Sequence, residues 1–266
     1  MKHLKKNLRV LREMLYLRFH GIAVFRMDFF GPFFVDGSLF VIQLLAFGVI
    51  YSNIDTIGGW HQGEMILYIG TFSLLNAVNM TLYFFGVNGI PDKVRSGELD
   101  LYLTKPVSPL FRLSFENISP GSVPLMIMSI CIIAYGAAMS KVQVTALRVL
   151  EYLFWLLLMG ILYYDMEVII RSVSLYVVSM ARMEQLEDAG INLCMKLPGI
   201  AFYGVYKFIF YLLLPYGIMA TLPVQSMIGD MDYKLAMYGI LVVVLFSAGA
   251  CLMWKKGLKR YNSASS

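Results

Sequence analysis

Charge is what this sequence has least of. Only 15% of its 266 residues are charged and 59% are hydrophobic, against about 25% and 45–50% in an average soluble domain. A soluble globular domain is therefore excluded as the default class. Proline is scarce, at 9 residues, while aromatic residues make up 14% of the chain and the mean hydropathy is +0.68. Disordered, collagen-like and low-complexity chains carry far less apolar surface. Cysteine is rarer still. Cys131, Cys194 and Cys251 stand more than fifty residues apart with no CxxC and no neighbouring histidine, so neither a disulfide framework nor a zinc site is indicated and buried free thiols are expected.

Catalytic motifs are missing too. No Gly-Lys pair precedes a serine or threonine, so the chain has no phosphate-binding loop for ATP. It also lacks G-x-S-x-G and H-E-x-x-H, which hydrolases would need. His3, His20 and His61 all fall outside the apolar runs. The sequence predicts no catalytic, cofactor-binding or metal-binding residue.

Long uncharged runs are what it does have. A membrane-spanning helix needs about 20 mainly apolar residues, and six segments meet or approach this, at about 33–54, 65–91, 117–140, 149–172, 198–222 and 235–254. The fourth admits Asp165 and Glu167. Continuous runs exclude a transmembrane β-barrel, whose strands alternate lipid-facing and lumen-facing residues. The reading is an all-α integral membrane protein with six transmembrane helices, a single domain over residues 1–266.

Lysine and arginine give the orientation. Eighteen of them fall in residues 1–31, in the connections after the second and fourth runs, and in the tail from Lys255. The opposite connections hold only Lys141 and Lys234, with Arg148 at the very start of the fourth span. Both termini are thus expected in the cytoplasm, and the net charge of +5 is a topology signal, not a sign of nucleic-acid binding. Within residues 1–31, Leu4, Leu8, Leu11 and Leu15 form one helical stripe with lysine and arginine elsewhere. Such a helix would lie on the anionic inner leaflet, each basic side chain contributing about 1 kcal/mol.

Charges within the runs are costly. Asp36 is expected at headgroup level. Asp165 and Glu167 stand about 200° apart around a helix, and Asp165 with Lys207 is a candidate intramembrane polar pair, set against independent snorkelling to the interface. Pro215 interrupts the fifth run and Pro223 lies near its end. They fit either a short return segment near the outer surface or a tilt in a packed helix.

The connection after the second run combines a turn at Gly97, acids at Glu98 and Asp100, a stop at Pro106 and three leucines, Leu99, Leu101 and Leu103. Leucines so dense in a loop need covering, by the bundle or by a partner. The motif Val94-Arg-Ser-Gly-Glu-Leu-Asp-Leu-Tyr-Leu-Thr-Lys-Pro-Val-Ser-Pro109 resembles the first cytoplasmic loop of ABC-2-type permeases, in the subgroup of paired six-helix permeases that work with a separate ATPase. Leu197-Pro198, Tyr206-Lys207, Leu214-Pro215-Tyr216-Gly217 and Leu222-Pro223 are similar to a second pattern of that subgroup. Leu197 departs from it where an aromatic residue is common, and the Ala181 to Cys194 stretch is unusually acidic.

The resemblance implies a permease subunit of an exporter, with an N-terminal elbow helix and a short cytoplasmic coupling helix. It implies ATP and Mg on a partner ATPase, a second permease (an unlike one favoured, a second copy being the other arrangement), and the multi-pass plasma membrane of a bacterium. Gly97, Glu98, Leu99, Asp100, Leu101, Leu103, Lys105 and Pro106 become the candidate coupling residues. A secondary transporter or channel without ATP coupling, and a subunit that only binds a partner, are the other readings the sequence allows.

Overall fold

The computed structural model describes residues 13, 16, 26–177 and 180–261. The expected amphipathic helix on Leu4 to Leu15 lies outside the described residues, as do His3 and His20. Among the described residues there is no strand, only an isolated bridge between Ile57 and Trp60.

In chain order the helices are α1 (Arg26–Tyr51), α2 (Gln62–Leu82), α3 (Phe84–Asn88), α4 (Ile90–Ser96), α5 (Asp100–Leu103), α6 (Pro109–Phe115), α7 (Val123–Met139), α8 (Ala146–Ser172), α9 (Ala181–Lys196), α10 (Gly204–Phe208), α11 (Tyr216–Met219), α12 (Thr221–Ile228) and α13 (Tyr233–Arg260). Five helical stretches among them are long and apolar enough to cross a membrane: Phe33–Tyr51, Gln62–Leu82, Pro120–Met139, Ala146–Leu175 and Tyr233–Arg260. They fall on five of the six uncharged runs.

Helix α2 is the axis of the bundle, buried over most of its length. Small residues let α7 approach it. A Cβ on Gly136 would stand 2.4 Å from the Leu67 nitrogen, and one on Gly70 would stand 2.9 Å from that of Ile133. Close backbone approach with a polar crosslink is how helices associate in lipid, and Ser73 Oγ meets Ser129 Oγ at 2.6 Å between these two helices. The start of α2 is ordered by His61, whose backbone N–H donates to Glu64 at 2.8 Å.

The bundle has two distinguishable ends. One, the hairpin end, gathers the α1–α2 and α7–α8 connections: Gly63 abuts Ser140, Gly58 abuts Ile200, and Gly229 abuts Arg148. The other, the loop end, carries α3 to α6 and a separate core of Tyr83, Val87, Ile90, Leu99, Leu113, Val168, Leu175, Ala250 and Trp254.

The fifth run departs from expectation. It is no single helix: Gly204–Leu213 and Tyr216–Ile228 meet at 79°. Pro215 has no N–H to give to the Tyr211 carbonyl, and its ring collides with a continuing helix. The chain answers with a π-turn over Ile209–Leu213, in which Leu214 N donates to Ile209 O at 2.8 Å, and then bends. The stranded Tyr211 carbonyl accepts from the Tyr238 hydroxyl at 2.6 Å. Both limbs open at the hairpin end, where Gly204 and Lys207 share a cavity with Asp232 and Lys234, while the bend reaches inward to Gly190 through Tyr216. Of the two readings of Pro215, the return segment matches this course.

Helix α9 takes the place beside it. Its first half lies at the loop end, where Glu187 pairs with Arg171. Its last turn meets Gln43 Nε2, which donates to Met195 O at 2.5 Å, and the Tyr68 hydroxyl, which donates to Cys194 O. Of the three thiols only Cys194 is buried; Cys131 and Cys251 are exposed on helix faces, a correction to the expectation for all three, made possible because an apolar environment outside the bundle accepts them equally.

Candidate functional site

Helix α4 ends at Gly97, whose φ of 76° is left-handed; glycine takes that conformation without a Cβ penalty. The reversal turns the next residues back across the loop end as the single turn α5. Thr104 ends that turn, two residues before the expected stop at Pro106.

The three leucines part company on this turn. Leu99 is fully buried in the loop-end core, which also holds Val168, so of the two expected covers for the leucines the bundle supplies this one, and Leu99 is not an outward-facing member of the candidate coupling residues. Leu101 and Leu103 are 65% and 42% exposed. Glu98, Lys105 and Pro106 are exposed around them and Asp100 is half-buried. The result is an anchored turn with two leucines directed away from the bundle.

The anchor includes residues that the leucine count could not reveal. The Tyr102 hydroxyl donates to Glu116 at 2.9 and 2.8 Å, Lys93 forms an ion pair with the same carboxylate, and Lys93 and Arg112 both lie 5.3 Å from the Tyr102 ring centre. Burial is the largest single influence on Lys93 and acts to lower its pKa, but the hydrogen bond to Glu116, the Glu116 charge and Tyr102 together outweigh it and hold the ammonium above the usual range. Burial and the Glu116 bond both push the Tyr102 hydroxyl up. Charge-assisted bonds of this kind are stronger than neutral ones. A tyrosine with acid and base spaced around it was the only signal in the sequence.

The loop-end core that buries Leu99 includes Val168 of α8, and three residues further along α8 begins a buried ionic cluster. Arg171 pairs with Glu187 of α9, stands 3.5 Å from Glu167, and donates through Nε to Asn88 Oδ1 at 3.0 Å. Asn79 of α2 donates to Glu167 at 3.2 Å, and the Tyr216 hydroxyl, at the bend of the hairpin, donates to Glu187 at 3.5 Å. Residues of α3, α8 and α9 meet on one guanidinium, and α2 and the hairpin join the cluster through its two carboxylates. Glu167 was legible as an intramembrane charge, whereas its partners Arg171 and Glu187 sat in what reads as a charged loop.

Asp165 and Lys207 are not brought together. Asp165 accepts from Ser247 of α13. It stands 17 positions along α8 from Arg148, about 25 Å at 1.5 Å per residue, and Arg148 marks the hairpin end. Lys207 is at that same end, exposed, its ammonium 5.4 Å from the Tyr211 ring centre. Asp36 lies within α1.

A bundle of long apolar helices whose buried charges are compensated internally defines a multi-pass membrane protein. The chain belongs to the ABC-2 transporter family: the model described as ABC-2 family transporter protein matches residues 38–265. It is a transmembrane component of transport, with no catalytic role of its own expected of the family. Comparison with curated proteins and with solved structures finds no match.

Proposed function

We propose that the chain is the permease half of an ATP-driven exporter, moving its substrate by alternating access, with ATP and Mg held by a separate ATPase and a second, preferably unlike, permease beside it. The loop end faces the cytoplasm in this reading, with both termini, and the N-terminal segment lies on the inner leaflet of a bacterial plasma membrane. Lys196 and Lys207 move to the hairpin end in the folded chain, and the excess of lysine and arginine at the loop end survives their transfer.

The observation that carries the reading is the division of the leucines: Leu99 buried, Leu101 and Leu103 exposed on a turn held from below. Exposed apolar side chains on a braced element mark a contact surface. Glu98 and Lys105 flank them and would set register with a partner. Force applied to Leu101 and Leu103 would reach α8 through the loop-end core that holds Leu99 and Val168, and from α8 it would reach α9 and the hairpin through Arg171, Glu187 and Tyr216. A continuous route of packed and hydrogen-bonded groups is one way in which two sites are coupled, through an element along it that has two arrangements.

The test is recovery of the tagged chain from native membranes in mild detergent. Co-purification of an ATPase bearing a phosphate loop, lost with Leu101→Asp and Leu103→Asp while the fold is kept, supports the proposal. Retention of the ATPase by that variant overturns the role of the loop, and reproducible recovery of the folded chain alone puts the uncoupled transporter or channel in its place.

A further inference from the structure

A cavity of about 690 Å³ opens at the hairpin end between the first limb of the hairpin and the start of α13. Its lining mixes charge, one amide and apolar side chains. Lys207 comes from α10, Lys234 from the first turn of α13, and Asp232 caps that turn by accepting from the Lys234 N–H at 3.3 Å. These three charges sum to one positive. Gln225 of α12 reaches the cavity from the other limb; it is 9% exposed, and its Oε1 has no hydrogen-bond partner. A buried amide oxygen without a donor costs free energy unless something supplies one. Phe208 and Leu212 line the same cavity and are 60% and 41% exposed on the outer face of the limb.

We infer that this cavity binds the headgroup of a membrane glycerophospholipid carrying a single phosphodiester charge and a hydroxyl donor, as phosphatidylglycerol does. The phosphate, at one negative charge, matches the single net positive charge of the lining and sits between the Lys207 and Lys234 ammoniums. A headgroup hydroxyl donates to Gln225 Oε1. The acyl chains leave over Phe208 and Leu212, whose exposed rings and branches continue from the cavity along the apolar limb. That continuity favours a lipid over a free anion, since a soluble phosphate gains nothing from an apolar exit. The site lies on the hairpin, far from the loop-end turn, and its existence does not depend on ATP coupling.

Native mass spectrometry of the full chain in mild detergent, titrated with dioleoyl phosphatidylglycerol, tests this. The Lys207→Gln/Lys234→Gln variant is expected to lose at least fivefold in bound lipid, and Gln225→Leu to lose severalfold and no longer to prefer phosphatidylglycerol over dioleoyl phosphatidylethanol, a singly charged phosphodiester with no headgroup hydroxyl. The charge-matched control Lys141→Gln/Lys196→Gln, at the same end but outside the cavity, is expected to bind as the wild type does. Equal loss in the control reduces the effect to surface charge and overturns the site. Displacement of the lipid by millimolar inorganic phosphate, or equal binding of diacylglycerol, overturns the lipid or the phosphate assignment respectively. Both lysines are exposed, so the lysine variant is expected to keep its fold, and an unchanged thermal midpoint checks this for it and for the buried Gln225→Leu.

Discussion

The hydroxyl of Tyr238 donates to the carbonyl of Tyr211 at 2.6 Å, and that carbonyl is the one Pro215 leaves without an amide four residues on. One residue breaks the helix and another, from a different helix, satisfies what the break exposes. A helix broken within a membrane protein keeps its backbone paired by such a substitute.

Removing the hydroxyl should therefore cost the worth of one hydrogen bond. Tyr238→Phe is expected to destabilise the protein by about 0.5–1.5 kcal/mol, since both tyrosines line the cavity at the hairpin end and water can in part replace the lost donor. In a Pro215→Ala background, which restores an amide, the same substitution should cost less. Thermal unfolding of the four proteins in detergent gives the interaction energy directly.

The leucines of α5 should separate in their effects. Leu99→Ala is expected to destabilise by about 2–5 kcal/mol, as cavity-forming substitutions in cores do, whereas Leu101→Ala and Leu103→Ala should leave the thermal midpoint unchanged and weaken partner association. Midpoints together with the recovered ATPase-to-permease ratio distinguish the two classes. Equal destabilisation by all three would remove the distinction on which the proposed coupling rests.

Arg171 should be indispensable singly and dispensable as a set. Arg171→Met leaves Glu167 and Glu187 buried beside each other, and breaking a buried pair costs about 3–5 kcal/mol. Adding Glu167→Gln and Glu187→Gln should recover most of that loss, because uncompensated charge causes it. If stability returns while transport does not, the cluster serves motion beyond its contribution to the fold.

The loop anchor should be sensitive to alkali. Lys93 and Tyr102 both titrate above their ordinary values in the fold, so each favours its protonated form more when folded than when unfolded. Their contribution is complete below the ordinary pKa values of about 10, and is lost as pH rises through the raised folded values. The midpoint should be steady on this account from neutral pH to about 10 and fall beyond, and Lys93→Met should flatten the fall. A decline in Lys93→Met as steep as in the wild type would assign it elsewhere.

Five helices were readable because an uncharged run of span length has few alternatives in an apolar chain. Two elements were not readable, for opposite reasons. Helix α9 carries Arg182, Glu184, Glu187, Asp188 and Lys196 and resembles a solvated loop, yet Glu187 finds its counterion on α8, a pairing no local window contains. The hairpin is uncharged from Phe208 to Gly229 and has the composition of a span; only Pro215 distinguishes it, and proline is also tolerated in straight crossings. In the loop, Gly97 and the acids gave the turn. The burial of Leu99 alone among three alternate leucines depends on where α8 and α13 meet, which is tertiary information.

The burial of α2 also bears on the order in which the protein assembles in the membrane. Ser73 waits for Ser129, which follows 56 residues later, and Asn79 for Glu167, 88 residues later. Until those partners are synthesised, the most central helix exposes its glycines and polar side chains to lipid. The closing of α7 onto α2 covers Ser73 and the glycines, and Asn79 stays without its partner until α8 has followed.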